Sequence, residues 1–212
     1  MIRTRNLIAL LASVTLLAGS LTAALSAQAC GDSSALHIMF QGDNADMIYG
    51  GDLPAKLVSG VTPGGSGVEL DCSASGYRQF AAPADDKAAG FAFWMKAEST
   101  GDLSTIAPSI NWVNLKELQT YYTIDKNGVF QTKTTAWKFL REDGFEGWVI
   151  LPRAAYDELS LNGDAQLTIQ NDRGENGHGG KVWFESFGYY TDLEALKAEL
   201  LAPYQPDRKS VV

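Results

Sequence analysis

Covalent or acid–base catalysis needs particular residue types at particular spacings, and this sequence supplies few of them. It has two histidines, His37 and His178. His37 falls in a run that reads as a strand, and His178 sits in the glycine-rich stretch 172–180. There is no Gly-x-Ser-x-Gly elbow, no Cys/His set at metal-ligand spacing and no phosphate-cradling glycine loop between a strand and a helix. Glu142, Asp143 and Glu146 form one acidic group and Asp157 and Glu158 another. Glycoside cleavage needs two carboxylates facing each other at a set separation, which sequence neighbours do not establish. The residue types therefore argue against an enzyme. The stretch 172–180 is the one polar cluster suited to ligand contact, because its glycines permit close approach and it carries Arg173 and His178.

A different chemistry shows in the alternation of the strand-like runs. In 91–97, Phe91, Phe93 and Met95 share one side, and Trp94 and Lys96 share the other. In 166–170, Leu167 and Ile169 oppose Gln166, Thr168 and Gln170. Tyr122 and Ile124 oppose Tyr121, Thr123 and Asp125, and Asn111 and Val113 oppose Ile110, Trp112 and Asn114. Several strands thus carry an apolar face and a second face of amides, hydroxyls, lysine and large aromatics. Aromatic rings stack on the C–H face of a sugar, and amides or ammonium groups bond its hydroxyls. Trp94, Lys96, Trp112, Tyr121, Thr168 and Gln170 form the expected ligand face, with Arg173 and His178 reaching over it. The competing reading places these aromatics under loops or in a second buried face, since tryptophan is usually mostly buried.

The elements that would hold such a face are short and regularly punctuated. Strands are expected at 36–40, 67–71, 90–97, 110–114, 121–125, 129–134, 147–151, 166–171 and 181–190, with glycine and proline turn signals between them. That spacing predicts an all-β sandwich of two antiparallel sheets. Asn127-Gly128 between two alternating runs is the clearest hairpin signal. One helix is expected over 192–201, capped by Thr191 or Asp192 and ended by Pro203. Leu193, Leu196, Leu200 and Leu201 fall on one of its faces. That stripe docks on the sandwich or meets a protein partner. A short helical piece is a further expectation over 153–159.

The chain has 212 residues, 45% of them hydrophobic and 20% charged, with a net charge of −8. This suits one globular domain and excludes global disorder. Its acidity disfavours nucleic acid and anionic membranes as partners. Residues 1–29 have a basic start, an apolar run and an Ala27-x-Ala29 cleavage motif, which read as a secretory signal peptide. The domain would then run over 30–191, followed by the helix and tail at 192–212, with no transmembrane helix in the mature chain. Cys30 at the cut site has two alternatives. It carries a lipid anchor, or it pairs with Cys72, the other cysteine, as expected in an oxidising compartment.

Three segments resemble one family. Gly90 to Lys96 (GFAFWMK), Gly147 to Pro152 (GWVILP) and Val182 to Tyr190 (VWFESFGYY) occur in the order and spacing of the jelly-roll carbohydrate-binding modules of secreted bacterial proteins, which have the galactose-binding-like β-sandwich fold. Met39 to Gly42 (MFQG) lies where those modules often have an acidic motif. The resemblance implies a non-catalytic domain that binds a poly- or oligosaccharide outside the cell. The alternative is a structural or adhesive sandwich with no glycan site. It also implies a structural Ca²⁺, for which Gln41, Asp43 and Glu185, with Asn44 and Asp46 nearby, are the candidate ligands. Met39 and Gln41 replace two acids of the motif, and calcium prefers carboxylate oxygens.

Overall fold

A computed structural model describes residues 35–205, apart from 44–45, 47, 74, 84, 100–105, 112, 117, 136–143, 157, 162–163 and 172–179. The signal peptide expected over 1–29, and Cys30, lie outside the described residues. Among the described residues no helix is long and apolar enough to cross a membrane.

The strands are β1 (Leu36–Phe40), β2 (Ile48–Gly51), β3 (Ala55–Ser59), β4 (Ser66–Asp71), β5 (Gly76–Pro83), β6 (Gly90–Ser99), β7 (Ile106–Ile110), β8 (Val113–Asn114), β9 (Gln119–Asp125), β10 (Phe130–Thr135), β11 (Glu146–Pro152), β12 (Asp164–Asn171) and β13 (Gly180–Tyr190). They form two sheets whose described pairings are all antiparallel. The larger sheet has eight strands in the order β10-β9-β11-β6-β13-β4-β3, with β1 also paired to β13. The smaller has five, ordered β2-β5-β12-β7-β8. The expected all-β, two-sheet sandwich is what the chain forms.

Alternation decides which side chains fill the space between the sheets. From the larger sheet come Val68, Leu70, Phe91, Phe93, Met95, Val149, Leu151, Val182 and Phe184. Phe80, Ile110, Leu167 and Ile169 answer them from the smaller sheet. Phe80 and Phe93 both pack against Phe184, with ring centroids 6.4 and 5.7 Å away. Each such ring removes a large apolar area from water.

A second apolar cluster lies on the outward side of the larger sheet. It joins Ala92, Trp94, Ile124, Trp148, Ile150 and Trp183 to Leu196 and Leu200 of the helix α1 (Leu193–Leu201). The helix starts where the sequence predicts. Asp192 caps it, accepting from the backbone N–H of Glu194 at 2.8 Å and of Ala195 at 3.0 Å. The leucine stripe is therefore docked on the sandwich. Past the helix, Tyr204 lies over the β9–β10 turn, where a Cβ on Gly128 would come within 2.3 Å of its ring. Glycine at this turn serves both the positive φ of 77° and that close approach.

One expected strand divides in two. The run 110–114 is not continuous, because Asn111 takes a φ of 49° and turns the chain between β7 and β8, pairing Ile110 with Val113. Asparagine tolerates this left-handed conformation because its short side chain bonds locally. Here its Oδ1 accepts from the N–H of Gln166 at 2.8 Å. The helical piece expected over 153–159 shrinks to a 3₁₀ turn at Arg153–Ala155.

Candidate functional site

The residues expected on one ligand face are divided by the fold among three places. Trp94 is 3% exposed and belongs to the cluster under α1, so it does not face solvent. Its strand neighbour Trp148 lies in the same cluster. The physical reason is the leucine stripe: an aromatic sheet face and an apolar helix face each leave water by packing on the other. Lys96, further along β6, lies beyond that cover. Its ammonium group is 3.9 Å from Glu146 and 5.9 Å from the centre of the Trp183 ring. Tyr121 turns the other way, into the main core, and is 4% exposed. Trp112, Arg173 and His178 lie outside the described residues.

Thr168 and Gln170 remain, and they stand on the outward face of the smaller sheet. Leu167 and Ile169 point into the core, which turns Gln166, Thr168 and Gln170 outward. Cross-strand pairing completes the face. Thr168 lies opposite Gln79 of β5 on one side and Ser109 of β7 on the other, Gln170 lies opposite Tyr77, and Ser109 lies opposite Asn114 of β8. Gln79 and Ser109 are the members that sequence reasoning missed. The signal was present in β5, where Tyr77 and Gln79 alternate with Phe80, but that strand was not expected.

Among the described residues the face carries amides, hydroxyls and a phenol, and no apolar cluster lies on it. The Gln79 amide donates to Gln166 Oε1 at 2.8 Å. Gly50 of β2 makes room for Gln79, since a Cβ there would come within 2.0 Å of its Oε1. Arg78, one residue along, turns away and clamps the carbonyls of Gly50 and Leu53, which fixes the chain beside Gln79. At the centre of the face, Ser109 is 1% and Thr168 0% exposed, and neither hydroxyl has a hydrogen-bond partner among the described residues. These two residues are direct cross-strand partners. A buried hydroxyl left unpaired costs about 1–3 kcal/mol, and at this burial neither group is open to a ligand from solvent; Gln166, Gln170 and Tyr77 are the half-buried members of the face.

The expected calcium ligands do not come together as a carboxylate site. Ser186 Oγ lies 3.1 Å from Gln41 Oε1 and 3.4 Å from Glu185 Oε1, so one hydroxyl serves both side chains. Glu185 is buried and Asp43 is exposed. Among the described residues no group of three or more His, Cys, Asp or Glu side chains could hold a metal ion. Asn44, a further candidate ligand, lies outside the described residues. Cys72 is a buried free thiol among the described residues, and burial pushes its pKa up to about 12.

No family model matches the chain, and no curated protein matches it. Solved structures do. The chain is similar to the family 11 carbohydrate-binding module of the cellulosomal cellulase Lic26A-Cel5E of Clostridium thermocellum, at 13% identity and a TM-score of 0.42, over 73% of this chain and 94% of that one. A family 11 module of the same organism, in complex with a β-1,3-1,4-mixed-linked tetrasaccharide, gives 15% identity and a TM-score of 0.40, over 76% and 99%. A module specific for non-crystalline cellulose gives 10% and 0.38, over 74% and 94%.

Proposed function

We propose that the chain is a non-catalytic carbohydrate-binding β-sandwich that holds its glycan on the outward face of the smaller sheet. The observation that carries this reading is the row of half-buried polar side chains on that face, Gln166, Gln170 and Tyr77, beside Gln79. A sugar presents hydroxyls that both donate and accept, and amide and hydroxyl side chains answer both roles without charge. Tyr77, half-buried at the edge of the same face, offers a ring to a sugar's C–H surface. The expected extracellular location is part of the same proposal and rests on the leader.

The test is a paired measurement on Gln170→Ala. Gln170 is half-buried on the outward face, so its truncation should change stability by no more than about 0.5 kcal/mol. Glycan retention in affinity electrophoresis across a polysaccharide panel should fall at least tenfold. A variant that is equally stable and retained as the native chain would overturn the site. If the folded native chain itself is retained on no polysaccharide, the structural or adhesive reading replaces this one.

A further inference from the structure

The amide face leaves a concavity unexplained at the far edge of the larger sheet. A cavity of about 270 Å³ opens between the β9–β10 hairpin and the start of β11. Register explains why its wall is polar. Gln131 and Lys133 of β10 pair with Thr123 and Tyr121 of β9, so they occupy the sheet side that elsewhere forms the core. Gln131 is exposed and Lys133 half-buried, so at this edge strand that side is open to solvent. Phe145, just before β11, belongs to the main core and gives the cavity one apolar wall.

The formal charges of the lining cancel and are answered within the chain. Lys126 and Lys133 stand against Asp125 and Glu146. Glu146 Oε2 lies 3.9 Å from the ammonium group of Lys126, and Lys133 has a partner of its own. Asp125 Oδ1 accepts from the N–H of Asn127 and of Val129, each at 2.9 Å, which fixes the turn. Three groups of the lining are left uncommitted among the described residues: Asp125 Oδ2 and the side-chain amides of Asn127 and Gln131. A lining without net charge selects neither an anion nor a cation. Its open groups are one strong acceptor and two amides that both donate and accept. Their complement is a neutral molecule that carries several hydroxyls.

We propose that this edge cavity binds one neutral hexose ring through Asp125, Asn127 and Gln131, independently of the face on the smaller sheet. The volume is below the range of drug-sized pockets and suits a single ring or a chain end rather than a run of sugars. Asp125 Oδ2 accepts from one ring hydroxyl, and the two amides exchange hydrogen bonds with its neighbours.

The test uses the full folded chain, labelled with ¹⁵N and titrated separately with methyl β-glucoside, glucuronate and glucosamine. The glucoside should shift the amides of Asn127, Gln131 and Gly144 at concentrations that leave Gln166 and Gln170 unmoved. Its affinity should not change with added salt, because no charge pairing drives it. Gln131→Ala, at an exposed edge-strand position, should weaken the glucoside about fivefold, as expected for loss of one neutral hydrogen-bonding side chain. Neither charged sugar should bind more tightly than the neutral one. No shift at the cavity, a Gln131→Ala variant that titrates like the native chain, or a salt-sensitive preference for either charged sugar would each overturn the proposal. Because the two sites are read from different amides, loss of one leaves the other independently measurable.

Discussion

The two outward faces of this sandwich solve opposite problems. On the larger sheet, Trp94, Trp148, Ile124 and Ile150 meet Leu196 and Leu200, so an aromatic face is closed by nine helical residues. On the smaller sheet, Gln79, Ser109, Gln166 and Thr168 form a face on which no apolar cluster is built among the described residues. The first face is satisfied within the chain. The second leaves Gln166 and Gln170 half-buried and keeps two buried hydroxyls without partners among the described residues. A row of tryptophans on an alternating strand marks what must leave water. Amides left half-buried on an uncovered sheet face are the better mark of a place where something else arrives.

The largest expected effect comes from reopening the closed face. Trp94→Ala should lower stability by about 3–5 kcal/mol, because it empties a site between sheet and helix, and Leu196→Ala by about 2–4. Denaturant unfolding measures both. If either variant unfolds with the native midpoint, α1 is not the closing element. Glycan retention measured on the folded fraction should be unchanged, which separates this face from the other.

A smaller loss is expected at the helix start. Asp192→Ala removes acceptance from two backbone N–H groups and should cost about 1 kcal/mol. If instead the variant matches Trp94→Ala, helix formation rather than packing limits closure of the face.

The smallest effect concerns an ion network at the rim. Burial opposes ionisation of Glu69. Hydrogen bonds from Lys56 and Lys181, at 3.1 and 3.2 Å, outweigh it and hold the carboxyl below its ordinary value of 4.5. Trp183 Nε1 also donates to Glu69, at 3.1 Å. A depressed folded pKa adds stability that is fully present above the ordinary value and is lost as pH falls through the folded one. The melting temperature of the native chain should therefore exceed that of Glu69→Gln at neutral pH. The gap should narrow as pH drops below about 4.5, and a gap independent of pH would exclude the ion network as its source.

The strong local signals were legible in the sequence. Asn127-Gly128 demanded a turn, Asp192 a helix start, and the alternation in 91–97 and 166–170 a two-faced strand. The failures were of partnership. The sequence assigns Trp94 to a second face correctly but does not say that α1 covers it, since that depends on where residues about a hundred positions later fold back. Trp94, Tyr121 and Thr168 all alternate against apolar neighbours, yet they occupy an outer face, the core and a different sheet. Period-two patterning reports sides of a strand, not which sheet the strand joins. The edge strands β2 and β3 escaped notice because Ile48–Gly51 is short and half glycine, and Ala55–Ser59 lacks a clean alternation of burial.

One strand also sets the order of events in time. β13 pairs with β1, β4 and β6, whose residues all lie before position 100. As the chain is made, those three strands wait for a partner that arrives some eighty residues later, with their edges open to other chains. Closure of the larger sheet is therefore non-local and slow by topology, and newly made chains depend on staying apart until β13 is available.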